Sequence, residues 1–187
     1  VKKSKWFPLA LVLPFLLSAC GYNTIQTMDE SAAAAKQQIE VQLQRRADLV
    51  PNLVETVKGY AAQEEKIFVA VAEARAGLAG AVQGGNVAQM ATANEAMTGA
   101  LGRLLAISEN YPTLKSDANF LRLQDELAGT ENRIAVARTD YNNAVRDYNA
   151  YIRKFPAVLT AKVTGAKARE YFEVTNAAAK DAPQVKF

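Results

Sequence analysis

IEVQLQRRADLVPNLVETVKGYAAQEEKIFVAVAEARAGLAGA, residues 39–81, carries the pattern that decides the fold. Steps of four and three from Ile39 reach Leu43, Arg46, Val50, Leu53, Val57, Tyr60, Glu64, Ile67, Val71, Ala74, Leu78 and Ala81. Only Arg46 and Glu64 on that line are charged, and the spacing is that of one helix face. A register held this long predicts a single helix over 30–82, about 75–80 Å long at 1.5 Å per residue. Pro51 lies inside it and withholds a donor from the Ala47 carbonyl. A kink is expected there, the alternative being a break with Pro51 opening a new helix.

Outward from this stretch the chain stays helical in character. Asp29, Glu30 and Ser31 suit a helix start, with acids in the first turn. On the other side, Gln83-Gly84-Gly85-Asn86 is the clearest turn. A second helix is expected on Val87, Met90, Asn94, Met97, Leu101 and Leu104, stopping before Tyr111-Pro112. Ser116 or Asp117 is placed to cap a third. Its apolar line runs Phe120, Leu123, Leu127, Ile134, Tyr141, Val145, Tyr148, Ile152 and Phe155, up to Pro156. A shorter fourth helix is expected over 157–177. No alternating β-branched segment or hairpin dipeptide argues for strands. The fold class predicted is all-α: an elongated antiparallel helical bundle of three long helices plus a shorter C-terminal one.

The N-terminal end reads as an export signal. Lys2, Lys3 and Lys5 precede an apolar run over 7–17, too short for a bilayer crossing, which needs about 20 residues. Leu17-Ser18-Ala19-Cys20 resembles the lipobox of bacterial lipoproteins, which implies a lipid on the Cys20 thiol and cleavage before it. The organisation expected is a signal peptide over 1–19, an anchor and tether over 20–28, a helical domain over 29–177 and a tail over 178–187. Gly21, in place of an acid after the cysteine, favours the outer membrane facing the periplasm in a Gram-negative source.

Charge follows the same division. The chain holds 22 basic and 19 acidic residues; without the three signal lysines the two signs balance at 19 each. That balance offers nucleic acid no electrostatic footprint and leaves no polybasic patch for anionic lipid. The single Cys excludes an internal disulfide, and there is no His. Ser-His-Asp catalysis, a thiol nucleophile, the usual zinc sites and a Glu-x-x-His di-iron centre are therefore excluded. No cofactor, metal or catalytic residue is expected, although a carboxylate-only site stays open.

The polar candidates are Arg46, Asp48, Glu64, Glu131, Arg138, Tyr141 and Asn142. Arg46, facing into a bundle, needs an acid from another helix, Glu126 or Glu131; Glu64 in turn needs Arg133 or Arg138. Pairing that fixes helix register is the first reading, and a partner-binding site is the other. Tyr141 continues the apolar line, which favours core packing over a groove.

Residues 39–61 (IEVQLQRRADLVPNLVETVKGYA) closely resemble the signature of the LemA family. ENYPTLK (109–115), Asn119-Phe120, ENRIAVAR (131–138), Tyr141-Asn142 and the close PQVKF (183–187) agree with it. The resemblance implies a membrane-anchored helical domain of poorly defined role, with one branch associated with magnetosome membranes and no catalytic residues to carry over. Many members have an N-terminal transmembrane helix where this chain has a lipobox. The family often has Trp where Lys36 stands and His where Gln63 stands. The expected function is an envelope scaffold or adaptor, held to the membrane by Cys20 and binding an unknown envelope protein. The alternatives are a small-ligand receptor or carboxylate enzyme with a site between helices, and a homo-oligomeric membrane-organising protein.

Overall fold

The computed structural model describes residues 7–173, with side chains over 21–173. Its regular elements are helical: α1 (Phe7–Lys58), α2 (Glu65–Gly84), α3 (Val87–Ile107), α4 (Pro112–Lys115), α5 (Ala118–Tyr151) and α6 (Ala157–Thr164), with a 3-10 turn at Ser108–Asn110. The chain divides into two compact units. One comprises Val1–Gln38 and Ala137–Glu170; the other comprises Ile39–Val136 and Tyr171–Phe187.

In the second unit the stripe from Ile39 to Val57 points inward as its spacing requires. Ile39, Leu43, Val50, Leu53 and Val57 are all buried. The helix runs through Pro51 without a break and ends at Lys58. This corrects the single helix over 30–82. Residues 59–64 form turns, in which the Val57 carbonyl accepts from the amides of Tyr60 and Ala61. The chain then reverses, and Arg75 of α2 donates from Nε to the Ala47 carbonyl of α1 at 2.9 Å. Pro51 leaves that carbonyl without its intrahelical donor, so the returning helix makes good the loss.

Tyr60, expected on the buried line, is 40% exposed. Its hydroxyl donates to Asp117 Oδ2 (3.0 Å), and Gln63 Nε2 donates to the Tyr111 hydroxyl (2.6 Å). These two bonds brace the reversal. α2 packs on α3, and its buried residues are Phe68, Val71, Leu78 and Ala81. The turn between them has the local chemistry read from the sequence. Gly85 takes the left-handed conformation (φ 65°), and the Asn86 side chain accepts from the Gln89 amide. Among the described residues, α2 alone is long and apolar enough to cross a membrane. It carries Glu73 and Arg75 near its middle and one face in the seam with α3.

Asp117 caps α5, its Oδ1 accepting from the Phe120 amide. In the first unit, Ile25 of α1 is buried with Tyr148, Ile152 and Ala161. Residues 21–28, expected as a tether, are thus helical, with Gly21 and Ile25 buried. α5 ends at Tyr151, and Phe155, expected in the core, is 81% exposed. α6 stops at Gly165 (φ 72°), where the sequence suggested a helix to 177. A left-handed residue ends a right-handed helix, and glycine adopts that conformation at least cost. The expected tail over 178–187 lies outside the described residues. The backbone of Cys20 lies in α1, and its side chain is outside those described.

Candidate functional site

Arg46 of α1, Asn94 of α3 and Glu131 of α5 meet in the second unit. Arg46 Nη1 lies 2.6 Å from Glu131 Oε2 and donates to Asn94 Oδ1, also at 2.6 Å. The Arg46 side chain is 5% exposed and that of Glu131 45%. Alignment differs between the two contacts. The Asn94 bond is a directed hydrogen bond, whereas Glu131 Oε2 is buried, close in charge, and off the hydrogen-bond line. Burial lowers the Arg46 pKa and the Glu131 charge opposes that shift. Glu131 was one of the two acids the sequence offered. Asn94 was missed, although a polar residue in an otherwise apolar line was a visible signal for it.

The other candidates disperse. Asp48 is exposed and accepts from Gln44 Nε2 (2.8 Å). Glu64 is half-buried; its carbonyl accepts from the amides of Ile67 and Phe68 where α2 begins. It forms no ion pair among the described residues, which corrects the expected pairing with Arg133 or Arg138. Once the chain reverses at 59–64, Glu64 sits at a helix start rather than on an inward face. Arg133 donates to Gln42 Oε1 and Thr130 Oγ1 instead (both 3.2 Å).

Arg138, Tyr141 and Asn142 belong to the first unit. Arg138 is exposed and Asn142 half-buried. Tyr141 is buried as expected, and its hydroxyl donates to the Glu170 carbonyl (2.8 Å). Burial raises its pKa. Beside it, Asn149 clasps the backbone of Arg169, donating to its carbonyl and accepting from its amide, each at 2.9 Å. The Arg169 guanidinium reaches Asp29 Oδ1 at 2.7 Å. The contacts of Asn149, Arg169 and Asp29 carry no local sequence signal, because Asp29 and Arg169 are 140 residues apart; Asp29, expected at a helix start, lies inside α1.

Two shallow clefts lie in the second unit. One of about 460 Å³ is lined by small side chains, including Gly77, Ala81, Ala88, Thr92 and Ala96. The other holds Lys58, Glu65, Phe68 and Val69, with Lys58 Nζ 5.7 Å from the Phe68 ring centroid. Neither is lined by Arg46, Glu64, Glu131 or Arg138. The described residues contain no group of three or more carboxylates able to hold a metal ion. Chemically, these arrangements fix helices and straps to one another.

The sequence model of the LemA family matches residues 35–187. The chain is 34% identical over 175 residues to magnetosome protein MamQ 2 of Paramagnetospirillum magneticum, covering 81% of this chain and 64% of that one. It is also 34% identical over 174 residues to magnetosome protein MamQ of Magnetospirillum gryphiswaldense, with the same coverage. The chain therefore spans 64% of the length of these relatives.

Proposed function

This chain belongs to the LemA family, and from that premise we propose that it is a lipid-anchored, non-catalytic scaffold or adaptor of the cell envelope. The observation that carries the reading is the fate of the one buried cation among the described residues. Arg46, its side chain 5% exposed, is matched by Glu131 and Asn94 from two other helices. A charge so enclosed fixes helix register; it is not available to a substrate. The lipobox-like LSAC at 17–20 supports attachment through Cys20, and the residue after it favours the outer membrane of a Gram-negative cell. That the relatives are named as magnetosome proteins fits a role in building a cellular structure.

Affinity purification of the lipidated chain after crosslinking in cells is expected to recover one envelope protein in stoichiometric amount. Repeated recovery of no partner would remove the adaptor reading. Cys20→Ser is expected to leave the protein unprocessed or released from membranes, and normal lipidation of that variant would remove the anchor.

A further inference from the structure

α6 is built the wrong way round for a helix in water. It buries Ala157, Thr160 and Ala161, which are small, and turns its larger apolar side chains outward. Leu159 is 56% exposed and Val163 89%, and Phe155 in the preceding turn is 81% exposed. A helix in contact only with its own core and solvent places such residues inward. Along the sequence the charge here is one-sided. Residues 153–169 contain five basic side chains and no acid. Arg169 pairs with Asp29, while Arg153, Lys154, Lys162 and Lys167 are exposed. The balance over the whole chain argued against a polybasic patch, and this local run corrects it.

The position of α6 sets it beside the residue that follows Cys20. Its inner side lies against the start of the mature chain: a Cβ built on Gly21 would stand 3.4 Å from Thr160 Oγ1 and 3.7 Å from the Ala157 Cα. Gly21 directly follows Cys20, the residue assigned to the lipid. Resting on that anchor reading, we propose that residues 153–167 form a second membrane contact. In it Phe155, Leu159 and Val163 enter the interface of the anchoring bilayer, and the four exposed basic residues meet its anionic headgroups. Apolar side chains flanked by Lys and Arg are the composition of interfacial segments. A leaflet's surface potential acts only within a Debye length, about 8 Å at physiological salt. Ala157 and Thr160 of α6 lie against Gly21, one residue from the attachment point.

The test uses the full-length protein in phosphatidylethanolamine–phosphatidylglycerol vesicles, with single cysteines at Leu159 or Val163 carrying an environment-sensitive dye. Val136, 61% exposed in the other unit, is the control position. Dyes at 159 and 163 are expected to emit blue-shifted light and to be quenched by nitroxide-labelled lipid, while the dye at 136 is not. Water-like emission at all three overturns the proposal, including the case in which a protein partner covers α6 in cells.

Neutralising Lys162 and Lys167 to Gln is expected to weaken contact about fivefold per residue, from ~1 kcal/mol for each basic side chain near an anionic leaflet. The loss is expected only when phosphatidylglycerol is present; an equal loss in phosphatidylcholine overturns the headgroup assignment. Dye uptake by the parent chain reads the anchor separately, since a lipidated Cys20 has no free thiol. Where it does take dye, the same positions are read in Cys20→Ser, so contact by α6 is measured in either case.

Discussion

Arg75 donates to the Ala47 carbonyl at 2.9 Å, and Ala47 is the residue whose helical donor Pro51 removes. A proline inside a helix is tolerated here because a side chain from the next helix replaces the missing N–H. Ala47 is 1% exposed, so water is a poor substitute. Arg75→Ala is expected to cost about 1–3 kcal/mol, the range for leaving a buried carbonyl unpaired. Pro51→Ala restores an amide able to reach the same carbonyl. In that background the cost of Arg75→Ala is expected to shrink, giving a coupling of about 1 kcal/mol in urea unfolding. Equal costs in both backgrounds would show that the two residues do not share this acceptor.

The Arg46–Glu131 pair is asymmetric in burial, 5% against 45% exposed, and its two halves should therefore fail differently. Glu131→Ala strands a buried guanidinium with Asn94 as its remaining partner and is expected to cost about 3 kcal/mol. Arg46→Met leaves Glu131 Oε2 without its cation, but that side chain is 45% exposed and can turn to water while Met fills the space with apolar volume; a smaller loss of about 1 kcal/mol is expected. Thermal unfolding of both variants checks the order. A more damaging Arg46→Met would mean that the cation itself is indispensable to the packing.

These contacts also show where the sequence was legible. Ile39 to Val57 point inward because a 4-3 spacing can bury only one helix face. The 84–86 turn was readable because a left-handed Gly and a capping Asn are local chemistry. The reversal at 59–64 was not, because both helices of a hairpin need an apolar face and the pattern resumes after the turn. The visible breaker, Pro51, is compensated by Arg75, while the actual reversal is braced by Asp117 and Tyr111, 57 and 48 residues away in sequence from their partners. Gly165 was seen but placed inside a helix, since nothing local shows that Asn149 holds the following strap. At the candidate site, a buried Arg required an acid, and Glu131 was within the choice. Asp29 with Arg169 was beyond any local argument.

Asn149 uses both ends of its amide on the backbone of Arg169, and it is 5% exposed. No apolar residue can reproduce that pair. Asn149→Ala is expected to destabilise the protein by about 2 kcal/mol, for two lost bonds to partly buried backbone. Hydrogen exchange localises the effect: the Arg169 amide should lose protection while amides in α3 keep theirs. Unchanged exchange at Arg169 would mean that Tyr141 and Asp29 hold the strap without it.

Asp29 gives this fold a titratable fastener. The hydrogen bond from Arg169 holds its carboxyl below the ordinary value of 3.8, assisted by the Arg169 charge and the Tyr148 hydroxyl, with burial opposing. A depressed folded pKa contributes stability that is complete above the unfolded value and lost as pH falls through the folded one. Both side chains are partly in water, 39% for Asp29 and 27% for Arg169. Solvent screening therefore limits the contribution to about 1 kcal/mol or less. Asp29→Asn is expected to be less stable than the parent by that amount at neutral pH. The gap should begin to close as pH drops below about 4 and vanish where the parent carboxyl is protonated. Urea midpoints measured across this range follow it directly. A gap that stays constant with pH would show that the amide variant is penalised by lost packing or bond geometry, and that the ionised pair contributes nothing to the first unit.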